Sequence, residues 1–209
     1  MKQAESLIFD IDGTLWDSRA LVADGYNIQL RKEGLDHLCV TAEDFIPLFG
    51  KVNSELADAL FASVPVPERY ELIARCVVAE NRYLEESPCD IGYPQVKETM
   101  AALAKNHRLF IVSNSPVGYP EVCVKKLGLE GLIEGTLCHG ETGLPKGQTI
   151  RLLMDKYHIT SCCYIGDTQM DYEATVEAGI PFLWAAYGFG TPEWFDAKVD
   201  SFCQLTDLF

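Results

Sequence analysis

The sequence predicts an α/β fold: a doubly wound parallel sheet of Rossmann-like type with an inserted all-α helical segment. Three observations predict it. Four short runs are apolar on both faces, amphipathic helices separate the last three, and residues 17–90 contain no strand pattern. Strands hydrophobic on both faces belong to a sheet covered by helices on each side, and their alternation with helices implies right-handed crossovers.

Taken in order, Leu7-Ile8-Phe9 is the first strand. Helices are then expected at Ser18–Lys32, Thr41–Phe49, Ser54–Phe61 and Pro67–Glu86, with breaks at Gly34, Gly50 and Pro65-Val66-Pro67. So long a block is no simple crossover. It is read as a helical insert over residues 17–90, with residues 1–16 and 91–209 forming the α/β core. Pro94 opens a helix marked by Val96, Met100, Leu103 and Ala104, which leads to the strand Leu109-Phe110-Ile111-Val112. A helix through Ile150, Leu153, Met154 and Tyr157 precedes the strand Cys162-Cys163-Tyr164-Ile165. The next helix, through Tyr172 and Val176, stops at Gly179, and Pro181-Phe182-Leu183-Trp184 is the last strand.

Composition narrows the function. The 209 residues hold 17 Lys and Arg against 31 Asp and Glu, a net charge of −14. Residues 17–92 carry 7 basic and 14 acidic groups and the remainder 10 and 17, so neither part is a charged tail. Such a chain repels phosphate backbones, so nucleic acid and anionic membranes are not expected partners. An anionic substrate would need local positive charge from a few lysines, backbone N–H groups or a bound cation. No apolar run approaches the ~20 residues of a membrane span, and Met1-Lys2-Gln3-Ala4-Glu5 does not open a secretory signal. The eight cysteines show no C-x-x-C and no zinc spacing with the four histidines. Reduced thiols in a cytoplasmic protein are therefore expected.

Ligands of doubly wound sheets bind at the carboxyl ends of strands, and four stretches there carry chemistry. The first strand runs into Asp10-Ile11-Asp12-Gly13-Thr14, with two acids on one side and a glycine for the sharp turn. Two carboxylates so close need a cation or a shared proton, which suits a divalent metal with an Asp nucleophile and an acid/base partner. The strand Cys162–Ile165 runs into Gly166-Asp167-Thr168-Gln169-Met170-Asp171, a second acid at a strand tip with another one helical turn later. Ser113-Asn114-Ser115 follows the strand Leu109–Val112, where a hydroxyl and backbone N–H groups can hold phosphate oxygens. Lys146, in Gly143-Leu144-Pro145-Lys146-Gly147, is a candidate counter-charge for phosphate. Each stretch alone also reads as a helix cap or a solvated loop; convergence on one crevice favours the chemical reading. Trp184 and Tyr187 read as packing, and Tyr187-Gly188-Phe189-Gly190 as a plain connecting loop, with a flexible loop bordering the site as the alternative.

In this order the four stretches resemble the haloacid dehalogenase superfamily of Mg²⁺-dependent phosphotransferases, in its phosphoglycolate phosphatase-like branch with an α-helical cap. The signature is D-x-D-G-T, a Ser or Thr at a strand end, a Lys, then G-D-x-x-x-D. The resemblance implies that Asp10 attacks phosphorus, and that Asp12 protonates the leaving oxygen and then activates water. It implies Mg²⁺ held by the carboxylates of Asp10 and Asp167 and by the backbone carbonyl of Asp12. Ser113, Asn114 and Lys146 would hold the phosphoryl oxygens, and Asp171 would support the metal shell or orient Lys146. The acid at Asp12 favours phosphate esters over carbon–halogen bonds, since the dehalogenases of the superfamily lack it.

The expected activity is hydrolysis of a small soluble phosphomonoester by a monomer or small homo-oligomer. A sugar phosphomutase of the β-phosphoglucomutase kind is the alternative; such enzymes use a His where this chain has Val22. A non-catalytic phosphate-binding regulator is a third class, but it would be expected to lose an acid, and none is lost. In the insert, Phe49-Gly50-Lys51-Val52-Asn53-Ser54 is the loop expected to face the crevice, with Lys51 as its specificity residue; a solvated turn is the plain alternative.

Overall fold

All four residues of Ser6–Phe9 are buried, and this strand, β1, runs through the middle of a parallel sheet. The computed structural model describes residues 4–209; Met1-Lys2-Gln3, part of the stretch read as lacking a signal, lies outside the described residues. After β1 come α1 (Arg19–Lys32), α2 (Ala42–Phe45), α3 (Asn53–Leu60) and α4 (Glu68–Glu86). The chain continues through α5 (Val96–Leu103), β2 (Arg108–Ser113), α6 (Tyr119–Lys126), β3 (Ile133–Cys138) and α7 (His139–Thr142). It ends with α8 (Lys146–Tyr157), β4 (Cys162–Gly166), α9 (Gln169–Ala178), β5 (Phe182–Ala185), β6 (Ala197–Val199) and α10 (Leu205–Leu208). Contacts divide it into two units, one of the residues up to Asp17 with Ile91–Phe209, the other Ser18–Asp90.

In the first unit the strand order is β3-β2-β1-β4-β5-β6, with every neighbouring pair parallel. The chain moves outward from β1 through β2 and β3, then starts again on the other side at β4. The order therefore reverses between β1 and β4, and the crevice of such a sheet opens at the carboxyl ends of those strands. Ile8, Phe110, Val112, Tyr164 and Phe182 share one core with Ile150 and Leu153 of α8 and Ala174 of α9. Phe9, the next residue along β1 and so on the opposite face, meets Phe202 with ring centroids 6.0 Å apart.

Two strands went unpredicted, β3 and β6. Both are at the sheet's edges, where one side of the strand needs no apolar cover. Ile133-Glu134-Gly135-Thr136-Leu137-Cys138 and Ala197-Lys198-Val199 accordingly mix charge and glycine into the strand and show no apolar run. Among the described residues no helix is long and apolar enough to cross a membrane, and all eight cysteines are free.

The second unit is helical. α1 and α4 pack along each other, and Gly25 faces the Glu80 backbone so closely that a Cβ at residue 25 would lie 2.6 Å from the Glu80 Cα. Tyr26 stacks edge-on against Phe45 at 5.2 Å. The Asn27 side chain donates to Val40 O and accepts from Val40 N–H, both at 2.8 Å, tying the chain after α1 back onto it. α2 is shorter than the expected Thr41–Phe49 helix, giving way to turns after Phe45.

Gly25→Ala separates two opposing effects. Alanine in a helix gains about 1 kcal/mol over glycine, whereas forcing a methyl onto a neighbouring backbone costs about 1–3 kcal/mol. Because Glu80 Cα belongs to a helix backbone that cannot rotate aside, the collision should win. Urea unfolding should show a net loss of up to about 2 kcal/mol; a more stable variant would mean that α1 and α4 separate freely.

Candidate active site

Strand register brings the acids to one level. Phe9 is paired with Ile111 of β2 and with Ile165 of β4, so Asp10, Ser113 and Asp167 all emerge within two residues of the same row. The Asp10 N–H still donates to Ile165 O at 2.9 Å, which fixes its backbone as part of the sheet. The turn that follows needs glycine twice over. Gly13 has φ +79°, and a Cβ there would run into the Asp167 carboxylate.

The cluster is dry. Asp10 is 4%, Lys146 5%, Asp167 0% and Asp171 0% exposed. Lys146, first residue of α8, places Nζ 2.9 Å from Asp10 Oδ1 and 2.7 Å from Asp171 Oδ1. Asp171 is saturated. Its Oδ1 also accepts from Tyr164 O–H at 3.3 Å, and its Oδ2 accepts from Asp167 N–H, Thr168 N–H and Thr168 O–H at 3.2, 2.9 and 2.6 Å. Asp167 differs. Its Oδ2 accepts the Phe189 N–H at 2.7 Å, while its buried Oδ1 has no hydrogen-bond partner.

The electrostatics follow from that geometry. Burial pushes Asp10 up to about 7, with Lys146 opposing and the charges of Asp171 and Asp12 adding to the rise. Burial likewise drives Asp167 well above the carboxylate range, helped by Asp171 and Asp10. Asp171 is also disfavoured by burial, but Lys146 and the Thr168 donors outweigh it and hold this carboxyl below its ordinary value. Burial disfavours the Lys146 charge too, yet Asp10 and Asp171 raise its affinity for the proton. Three carboxylates thus face one ammonium, and the orphaned Asp167 Oδ1 marks where positive charge is missing. Carboxylate oxygens of Asp10, Asp167 and Asp171 lie within 4.8 Å of one another. With both Asp171 oxygens committed, Asp10 and Asp167 fit as the carboxylate ligands of a hard, oxygen-seeking cation.

The other expected residues are placed as follows. Ser113 is buried at the tip of β2, its Oγ accepting the Ser115 N–H at 3.3 Å, and Asn114 is half-buried beside it. Asp12 Oδ1 accepts from Trp16 Nε1–H at 2.8 Å and from Tyr119 O–H at 2.7 Å. Lys51 belongs to the helical unit, in the turn before α3, with its backbone N–H donating to Leu48 O at 3.0 Å.

One expectation is corrected. Tyr187-Gly188-Phe189-Gly190 is no plain connecting loop, because the Phe189 N–H binds Asp167 and the Tyr187 O–H donates to Thr14 O at 2.8 Å. Trp184 does more than pack, donating from Nε1 to Asp167 O at 3.2 Å. Two glycines flanking Phe189 were the available signal, since they let backbone approach backbone. Thr168, Tyr164, Trp16 and Tyr119 also went unpredicted; only Thr168, three residues before Asp171, carried a local sign as a helix cap with an acid at the third position.

Comparison with known proteins finds relatives over nearly the whole chain. A family model described as haloacid dehalogenase-like hydrolase matches residues 5–179. A phosphoglycolate phosphatase of Photobacterium profundum is 27% identical, covering 100% of this chain and 98% of its own. A 5'-nucleotidase of Pseudomonas aeruginosa is 23% identical, over 90% of this chain and 85% of its own. Among solved structures, a haloacid dehalogenase-like family protein of Streptococcus pneumoniae superposes with a TM-score of 0.82 at 18% identity, each chain covered in full.

The unequal satisfaction of the two acids on the β4 side predicts effects of opposite sign. In metal-free buffer at neutral pH, Asp171→Asn breaks a buried ion pair and should cost about 3 kcal/mol in urea unfolding. Asp167→Asn relieves a buried acid repelled by its neighbours and should leave stability unchanged or raised. Equal losses in both variants would show that the cluster does not divide the charge in this way.

Proposed function

We propose a reaction on one premise: the chain belongs to the haloacid dehalogenase-like hydrolase family. It is a phosphoric monoester hydrolase. Asp10 attacks the phosphorus of a small phosphomonoester and forms an aspartyl-phosphate, while Asp12 gives a proton to the departing oxygen. Asp12 then takes a proton from water, which attacks the same phosphorus and releases inorganic phosphate and free Asp10. Lys146, oriented by Asp171, neutralises phosphoryl oxygens as charge spreads over them, and Ser113 and Asn114 hold those oxygens in place. Asp10 and Asp167, with the Asp12 backbone carbonyl, would hold Mg²⁺, which when bound supplies further positive charge to the phosphoryl group.

The observation that supports this most is the buried cluster itself. A carboxylate at the tip of a central strand lies 2.9 Å from a buried ammonium, beside an acid whose Oδ1 lacks a partner. A hydrolase needs a nucleophile, a counter-charge and a cation site in one dry crevice, and a phosphate-binding regulator does not need the first. A mutase is not favoured, because the position of its assisting His is Val22, buried in α1.

The names of the relatives rank the compounds to assay: 2-phosphoglycolate first, nucleoside 5'-monophosphates second, then sugar phosphates and pyrophosphate. Phosphate release should require Mg²⁺, vanish on chelation and return with Mg²⁺. Asp10→Asn should lower kcat by at least about 10³-fold while the protein stays folded. Normal turnover by folded Asp10→Asn protein would overturn the mechanism, and recovery with Zn²⁺ but not Mg²⁺ would overturn the choice of cation.

Substrate choice is assigned to the helical unit, with Lys51 as the cation for an anionic leaving group. This part is carried by the sequence, in which Lys51 is one of few bases among many acids. Lys51→Ala should lower kcat/KM about 10-fold for 2-phosphoglycolate and leave 4-nitrophenyl phosphate within about 2-fold. Equal changes on the two substrates would remove Lys51 from that role.

A further inference from the structure

Asp12 is tied to two aromatic side chains. Its Oδ1 accepts two hydrogen bonds, from the Trp16 indole at 2.8 Å and the Tyr119 phenol at 2.7 Å. Neither donor is loosely placed. Trp16 is 0% and Tyr119 2% exposed, and their rings meet edge to face at 5.5 Å and 86°. Trp16 is also fixed by its backbone, since its carbonyl accepts the Gly13 N–H at 3.0 Å and it bridges Asp12 on one side and Gly92 on the other. Tyr119 opens α6, so its phenol reaches Asp12 from a helix far along the chain.

We infer that Trp16 and Tyr119 are positioning residues for Asp12, holding Oδ1 so that proton exchange with the leaving group and with water runs through Oδ2. The chemistry of the donors requires the division of labour. An indole N–H can only donate, and a phenol hydrogen turned toward Oδ1 makes that oxygen an acceptor as well. An oxygen accepting two hydrogen bonds does not also carry the proton to be delivered, so the other oxygen must. Two rigid donors also freeze the rotation of a short acid that would otherwise sample several orientations, and proton transfer falls steeply when the acid is misplaced. This rests on the reading of Asp12 as the general acid and base.

The test uses two small aryl phosphates that differ in their need for an acid. The 4-nitrophenolate ion leaves without protonation, whereas phenolate is a poor leaving group that needs the proton. kcat/KM reports only the steps up to release of the phenol, so water activation does not enter it. Tyr119→Phe, and separately Trp16→Phe, should lower kcat/KM for phenyl phosphate about 10-fold and for 4-nitrophenyl phosphate less than about 2-fold. Asp12→Asn, measured beside them, should show the same selectivity more strongly. The rise in melting temperature on adding Mg²⁺, unchanged in Tyr119→Phe, would show that the fold and the cation site are intact.

Equal losses on both substrates, or no loss on either, in a folded Tyr119→Phe or Trp16→Phe protein would overturn the positioning role while selective loss in Asp12→Asn leaves the acid in place. No selectivity in Asp12→Asn would overturn the acid assignment and this inference with it. If one aromatic variant fails to fold, the other removes one of the two hydrogen bonds and gives the same comparison.

Discussion

The ammonium of Lys146, shared between Asp10 and Asp171 at 2.9 and 2.7 Å in a dry crevice, is the interaction on which the rest of the site depends. Three carboxylates buried together would repel too strongly to remain in place. One lysine offsets part of that charge and leaves the excess concentrated on the Asp10–Asp167 side. The arrangement also answers how so acidic a chain could handle an anion. On the proposed reading, the positive charge that meets the anion is this one buried lysine at the carboxyl ends of the central strands, where low dielectric strengthens it.

Topology puts that charge where it is useful. β1 and β4 lie side by side although most of the chain separates them, and the strand order reverses between them. Asp10 and Asp167 leave the sheet from those two strands. Lys146 and Asp171 come from the first residue of α8 and the first turn of α9, the helices that cover one face of the same core. Burying Ile150, Leu153 and Ala174 therefore positions Lys146 and Asp171 as well, so packing energy is converted into electrostatic geometry.

The legibility of this architecture in the sequence follows the same physics. Central strands are apolar on both faces, so Leu7–Phe9, Leu109–Val112 and Cys162–Ile165 stand out, and an acid directly after such a run marks a strand tip. Edge strands have no such requirement, which is why Ile133–Cys138 and Ala197–Val199 were silent. Local partners such as Thr168 for Asp171 leave a trace in spacing. Partners that meet only through the fold leave none: Tyr119 lies 107 residues from Asp12, and Phe189 acts through its backbone N–H, which every residue but proline possesses. The acids of the site were readable, and the groups that hold them in place were mostly not.

At the two ends of the helical insert, the Asp17 N–H donates to Ile91 O at 2.8 Å, the Tyr93 N–H to Leu15 O at 3.0 Å, and Trp16 bridges Gly92 antiparallel. To the sheet, everything from residue 18 to residue 90 is therefore one closed hairpin loop. Closing a longer loop adds only about 0.6 kcal/mol for each doubling of its length, so the core is almost indifferent to how much chain departs and returns there. In evolutionary terms this is a socket. A lineage can lengthen, shorten or replace the insert, and with it whatever the insert selects, while inheriting the strand tips and their chemistry unaltered.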